Sequence, residues 1–120
     1  MRILIVDDEV SVATLLAECV KLEGHEAVVA ASGAEGLALL EQKQPDAVFL
    51  DMVMPDMGGI EVLRRIREVS QTLPVIVITG RASPEQIDEA RRLGITDYME
   101  KPSILNYLDH ALRYLKSRTP

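Results

Sequence analysis

The chain is short of several things, and each shortage closes a class of function. It has one cysteine, Cys19, so no internal disulfide can form. The neighbours Leu15, Leu16 and Leu22 lead us to expect this thiol buried, in a reducing compartment. Basic residues are in deficit: 13 Lys and Arg face 19 Asp and Glu, a formal net charge of -6. A nucleic-acid footprint is therefore not expected, and the acidic surface suits solubility and cation binding. No apolar run approaches the roughly 18 residues of a membrane span. No basic segment precedes the first apolar stretch, so neither secretion nor membrane insertion is indicated and a cytoplasmic location is expected. Repeats and low-complexity tracts are also missing. The 120 residues are expected to form one domain, 1–120, with a single core of ordinary size.

What is present alternates regularly. Ile3 to Val6 is a continuous apolar run, short enough for a strand buried on both faces. From Val10 to Glu23 the residues Val12, Leu15, Leu16, Cys19, Val20 and Leu22 recur at helical spacing, and Gly24 closes the segment. Ala27 to Ala30 predicts a second strand, and Ser32 with Glu35 a capping box opening a helix that ends before Pro45. Asp46 to Leu50 predicts a third strand and Gly59 to Val69 a third helix. Val75 to Ile78 predicts a fourth strand. Ser83, Pro84 and Gln86 open a fourth helix closed by Gly94. Asp97 to Glu100 predicts a fifth strand, and Ser103 caps a last helix carrying Leu105, Leu108, Leu112 and Leu115. Nearly continuous apolar strands alternating with helices belong in a parallel sheet covered on both faces. The expected fold is thus α/β, a doubly wound five-stranded sheet with its site beyond the carboxyl ends of the strands.

That rim gathers Asp7 and Asp8 after the first strand, Asp51 after the third, Thr79 after the fourth and Lys101 after the fifth. Singly, each has an ordinary role as a turn, cap or solvated residue. Together, three carboxylates repel unless a cation neutralises them, and an oxygen-lined site of this kind suits Mg2+, which keeps positions open for phosphate oxygens. A carboxylate beside Mg2+ and a lysine can attack phosphorus and hold the group as an acyl phosphate. Asp51, alone at the centre of the sheet, is the nucleophile candidate, while the adjacent Asp7 and Asp8 are better suited to metal. Thr79 can donate to a phosphoryl oxygen, with Gly80 leaving room for the donor, and Lys101 can meet the phosphoryl charge.

The segments ILIVDDE at residues 3–9, VFLDMVMPDMGGIEVL at 48–63, PVIVITG at 74–80 and GITDYMEKP at 94–102 together resemble the receiver domain of two-component response regulators over essentially the whole chain. The resemblance implies a flavodoxin-like sheet in the order 2-1-3-4-5. It implies that Asp51 accepts a phosphoryl group from a sensor histidine kinase or phosphotransfer protein, and that Asp8, Asp51 and the backbone carbonyl of Val53 bind Mg2+, with Asp7 acting through a bound water. Lys101 would contact the phosphoryl group, and the Lys101–Pro102 bond would be cis. Thr79 and Tyr98 would form a coupled switch pair, controlling a surface made by the fourth helix, fifth strand and fifth helix, with Arg91, Tyr98 and Tyr107 on it. That surface would address an output domain or downstream protein, or a second copy in a phosphorylation-dependent homodimer.

Some positions depart from the commoner family pattern. Val53 has no polar side chain to orient an attacking water, Arg81 is bulky and cationic, and Ser103 stands where an aromatic is frequent. Two other functions compete. A phosphohydrolase using an aspartyl phosphate would carry Asp-x-Asp after the first strand, which is absent. A flavin module would place phosphate where Asp7 and Asp8 repel it.

Overall fold

A computed structural model describes residues 1–80 and 82–100. Five strands, β1 (Arg2–Val6), β2 (Glu26–Ala30), β3 (Ala47–Asp51), β4 (Val75–Thr79) and β5 (Asp97–Glu100), alternate with α1 (Val10–Leu22), α2 (Gly33–Lys43), α3 (Gly59–Val69) and α4 (Pro84–Arg92). All strand pairs are parallel, as the crossover argument predicts, and the order is β2-β1-β3-β4-β5, as the resemblance implies. The expected last helix lies outside the described residues.

The two-residue period of a strand divides the core into two layers. Ile3, Ile5, Phe49, Ile76, Ile78 and Met99 face α1, meeting Ala13, Leu16, Ala17 and Val20. Leu4, Val6, Val48, Leu50, Val75 and Val77 face the opposite way, meeting Leu40, Val62, Leu63, Ile66 and Ala90 from α2, α3 and α4. The central strands β1, β3 and β4 are apolar along nearly their whole length because both of their faces are covered.

Local details refine the expectations. On α1 the buried stripe uses Ala13 and Ala17, small enough for close approach to the sheet, while Leu15 and Leu22 point outward at 38% and 84% exposure. Cys19 is accordingly half-buried and not enclosed. The third strand sits one residue later than expected, because Asp51 pairs with Ile78 whereas the Asp46 carboxylate turns to accept the Arg2 N–H at 2.7 Å. Ser32 caps Glu35 N as predicted, but Glu35 reaches back to Ala31 N. The Ser83–Gln86 box is reciprocal.

Far from the strands' carboxyl ends, Arg67 binds α3 to α4. Its guanidinium donates to the carbonyls of Ser70, Leu73, Leu93 and Gly94 at 2.7 to 3.1 Å. Burial holds its pKa below the ordinary arginine value. Arg64 adds an ion pair to Glu89 at 2.9 Å, and Glu89 also meets Arg92 at 2.7 Å.

Candidate functional site

β1 and β3 lie side by side with Val6 opposite Leu50, so both chains end at the same rim. Asp7 and Asp8 follow the first, and Asp51 closes the second. One carboxylate oxygen from each lies within 4.8 Å of the other two. Asp7 and Asp51 are 1% exposed and Asp8 is half-buried. The site is therefore built into the core's edge and not spread over a solvated face. Asp7 Oδ1 accepts the Glu9 N–H at 2.9 Å, which leaves Glu9, without a side-chain cap bond, as the N-cap of α1. Asp51 Oδ1 accepts the Val53 N–H at 3.2 Å.

The loop after β3 turns sharply to bring this about. Met52 N donates to Ile78 O and Gly59 N donates to Met52 O at 3.0 Å. A Cβ on Gly59 would stand 2.6 Å from both Asp51 O and Met52 Cα, so only glycine lets α3 begin so near the acid. Met52 and Met54 point into the core, while Val53 is 48% exposed and carries its peptide group at the rim.

Thr79, 4% exposed, ends β4 opposite Glu100, and its Oγ1 accepts the Ala82 N–H at 2.8 Å. Beside it is a groove of about 410 Å³ whose walls include Thr79, Ile87, Asp88, Arg91 and Tyr98. Tyr98 is half-buried, with the Arg91 guanidinium 5.4 Å from its ring centroid, within cation–π range. Asp7, Asp8 and Asp51 are thus brought together, and Thr79 and Tyr98 border one groove. Lys101, the Lys101–Pro102 bond, Arg81, Ser103 and Tyr107 lie outside the described residues.

Sequence reasoning missed Asp56. Its carboxylate accepts the Gly33 and Ala34 N–H groups at the start of α2, each at 3.3 Å. Desolvation pushes this carboxyl up, but backbone N–H donors from Ala34, Gly33 and Met57 outweigh it and hold the pKa below the ordinary Asp value. A Pro-Asp-Met-Gly-Gly run signals a turn; nothing local says that its acid caps a helix more than twenty residues earlier.

Chemically, three carboxylate oxygens at such spacing form a hard-ligand set able to hold one divalent cation. The donors are all oxygen and the charge they bring together asks for neutralisation. Among the described residues no helix is long and apolar enough to cross a membrane.

The family model described as the response regulator receiver domain matches residues 3–113. The response regulator MprA of Mycobacterium sp. (strain KMS) is 37% identical over 119 residues, 99% of this chain and 52% of MprA, so the chain spans about half the length of that relative. Sporulation initiation phosphotransferase F of Bacillus subtilis is 34% identical over 93% of this chain and 90% of its own. Among solved structures, the receiver domain of NtrX from Brucella abortus superposes with a TM-score of 0.88 at 32% identity, covering 98% of this chain and 99% of that one.

Proposed function

The chain belongs to the response regulator receiver domain family of two-component systems, and on that premise we propose that Asp51 is its phosphoacceptor, charged by a sensor histidine kinase or a phosphotransfer protein. The reading is carried by the closeness of the Asp7, Asp8 and Asp51 carboxylate oxygens, within 4.8 Å at the carboxyl ends of β1 and β3. An Asp51 carboxylate oxygen attacks the phosphorus of a phosphohistidine. An O–P bond forms as the N–P bond breaks, and the imidazole leaves with the electron pair and takes up a proton. Hydrolysis of the acyl phosphate later returns the carboxylate and inorganic phosphate.

Asp8, Asp51 and the Val53 carbonyl would hold Mg2+, with Asp7 acting through a bound water; the ion supplies charge neutralisation around the phosphoryl oxygens. Lys101 adds a point charge to the phosphoryl group. The Thr79 hydroxyl, which accepts from Ala82 N in this structure, donates its own O–H to a phosphoryl oxygen. Moving to do so, it vacates space beside the groove into which Tyr98 turns. Phosphorylation then favours one of two arrangements of α4, β5 and the last helix, and that surface addresses an output domain, a downstream protein or a second copy. The domain works as a switch whose only chemistry is on its own Asp51. The acidic balance argues against direct contact with nucleic acid, and we assign residues 1–120 to one such domain working in the cytoplasm.

Intact-mass measurement after incubation with Mg2+ and a small phosphodonor tests this. One phosphate adduct, absent in Asp51→Asn, is expected. No adduct, or multiple turnover of added phosphomonoesters, overturns the reading.

A further inference from the structure

The first turn of a helix leaves four N–H groups without intrahelical partners. In α2, with Ser32 as N-cap, three of the four meet side chains: Glu35 N bonds Ser32 Oγ, and Gly33 N and Ala34 N bond the two oxygens of Asp56, while Gly36 N makes the first intrahelical bond, to Ser32 O. Two of the four therefore belong to the loop that carries Val53. The same junction is packed as well as bonded. A Cβ on Gly33 would stand 2.9 Å from Met57 Cβ and from Val62 Cγ2, so the glycine is what lets the loop lie against α2. At its far end the loop is closed by Gly59 N on Met52 O at 3.0 Å. Residues 52–58 are thus fixed to α2 on one side and to the stem of β3 on the other.

We infer that Asp56 is a positioning residue for cation binding: by clamping the β3–α3 loop to the start of α2, it holds the Val53 carbonyl at the acid rim and so sets the affinity for a divalent cation. The inference rests on the reading of Asp51 as a Mg2+-dependent phosphoacceptor. Asp56 itself touches neither ion nor phosphate. Its effect runs through three residues of backbone, from its own clamp to the peptide of Val53, whose N–H already meets Asp51 Oδ1 at 3.2 Å. Freed from α2, the loop samples more conformations, and each one that turns the Val53 carbonyl away lowers the fraction competent to bind.

The test is a Mg2+ titration of the intact chain, followed by backbone amide NMR shifts and paired with hydrogen exchange of residues 53–57. Asp56→Ala removes the clamp, Gly33→Ala wedges the loop off α2 without changing charge, and Asp56→Asn keeps one acceptor. Both alanine variants should weaken binding about tenfold, the scale of lost outer-sphere support, with faster exchange in the loop and a spectrum that stays dispersed. Asp56→Asn should fall between them and the parent chain, and it takes the place of Asp56→Ala should that variant not fold. If the parent chain shows no Mg2+-dependent shift, the phosphoacceptor reading falls and this inference with it. If the parent binds and Gly33→Ala stays within about twofold of it, Asp56 acts by charge alone and only the positioning role is overturned.

Discussion

Two loops flank the acid rim, and they are secured in opposite ways. The one after β3 is held by groups that have no part in the proposed chemistry: Gly59 N on Met52 O, and Asp56 on Gly33 N and Ala34 N. The one after β4 is tied back through Thr79 Oγ1, which accepts from Ala82 N at 2.8 Å and is the very atom a phosphoryl group would claim. On the proposed reading, holding and signalling are therefore separate on one side of Asp51 and combined on the other. With independent anchors, the loop after β3 would stay in place through a phosphorylation cycle. A loop anchored by the responding hydroxyl must rearrange whenever that hydroxyl changes partner.

The sharpest way to break this contrast is to disturb the fixed loop. Gly59→Ala sets a Cβ against Asp51 O and Met52 Cα, both backbone atoms, and should cost about 1–3 kcal/mol of stability, read by urea denaturation. Next comes Thr79→Ala, which leaves Ala82 N without its acceptor and should cost about 1 kcal/mol. Its larger effect is on coupling: phosphate should still load on Asp51, while the Tyr98 ring resonances stop responding to it. Arg91→Ala sharpens the picture on the responding side. Removing a guanidinium 5.4 Å from the Tyr98 ring forfeits about 0.5–1 kcal/mol of cation–π attraction. The ring resonances should move in the unphosphorylated state, with no change in the rate of loading from a small phosphodonor.

The smallest effect expected is with acid. Asp56 is held below its ordinary value by the N–H donors described above, and Glu89 by hydrogen bonds from Arg92 and Arg64. For a group whose folded pKa is depressed, the stabilisation is complete above the unfolded value, about 4 for these carboxyls, and is lost as pH falls through the folded value. Denaturation midpoints of Asp56→Asn and Glu89→Gln should therefore fall slightly less than the parent's between neutral pH and pH about 3, and a slope identical to the parent's would contradict the assignment.

How much of this was legible in the chain follows from the range of each interaction. Strand and helix order came from patterns of a few residues, and the Ser83–Gln86 box from a three-residue spacing, so both could be read directly. Asp7, Asp8 and Asp51 could be brought to one rim because parallel topology puts every strand's carboxyl end at the same edge. Asp56 and Arg67 could not, since their partners, Gly33 and Ala34 for one and Leu93 and Gly94 for the other, are chosen by packing across the fold. The outward Leu15 and Leu22 misled for a related reason: alanines serve better where a helix lies close on a sheet, and apolarity alone does not reveal that. The place of Lys101 falls outside the described residues.

Arg67 carries a mechanical consequence. Its grip on Leu93 O and Gly94 O sits at the far end of α4, away from Thr79. A rod pinned at one end and pushed at the other does not slide; it swings. For the nine residues of α4, about 13 Å long, a tilt of about 5° carries the end beside Thr79 roughly 1 Å while the pinned end stays still. On the proposed reading, displacement at the rim would thus become an angle, and an angle is something a partner lying along the whole helix would feel.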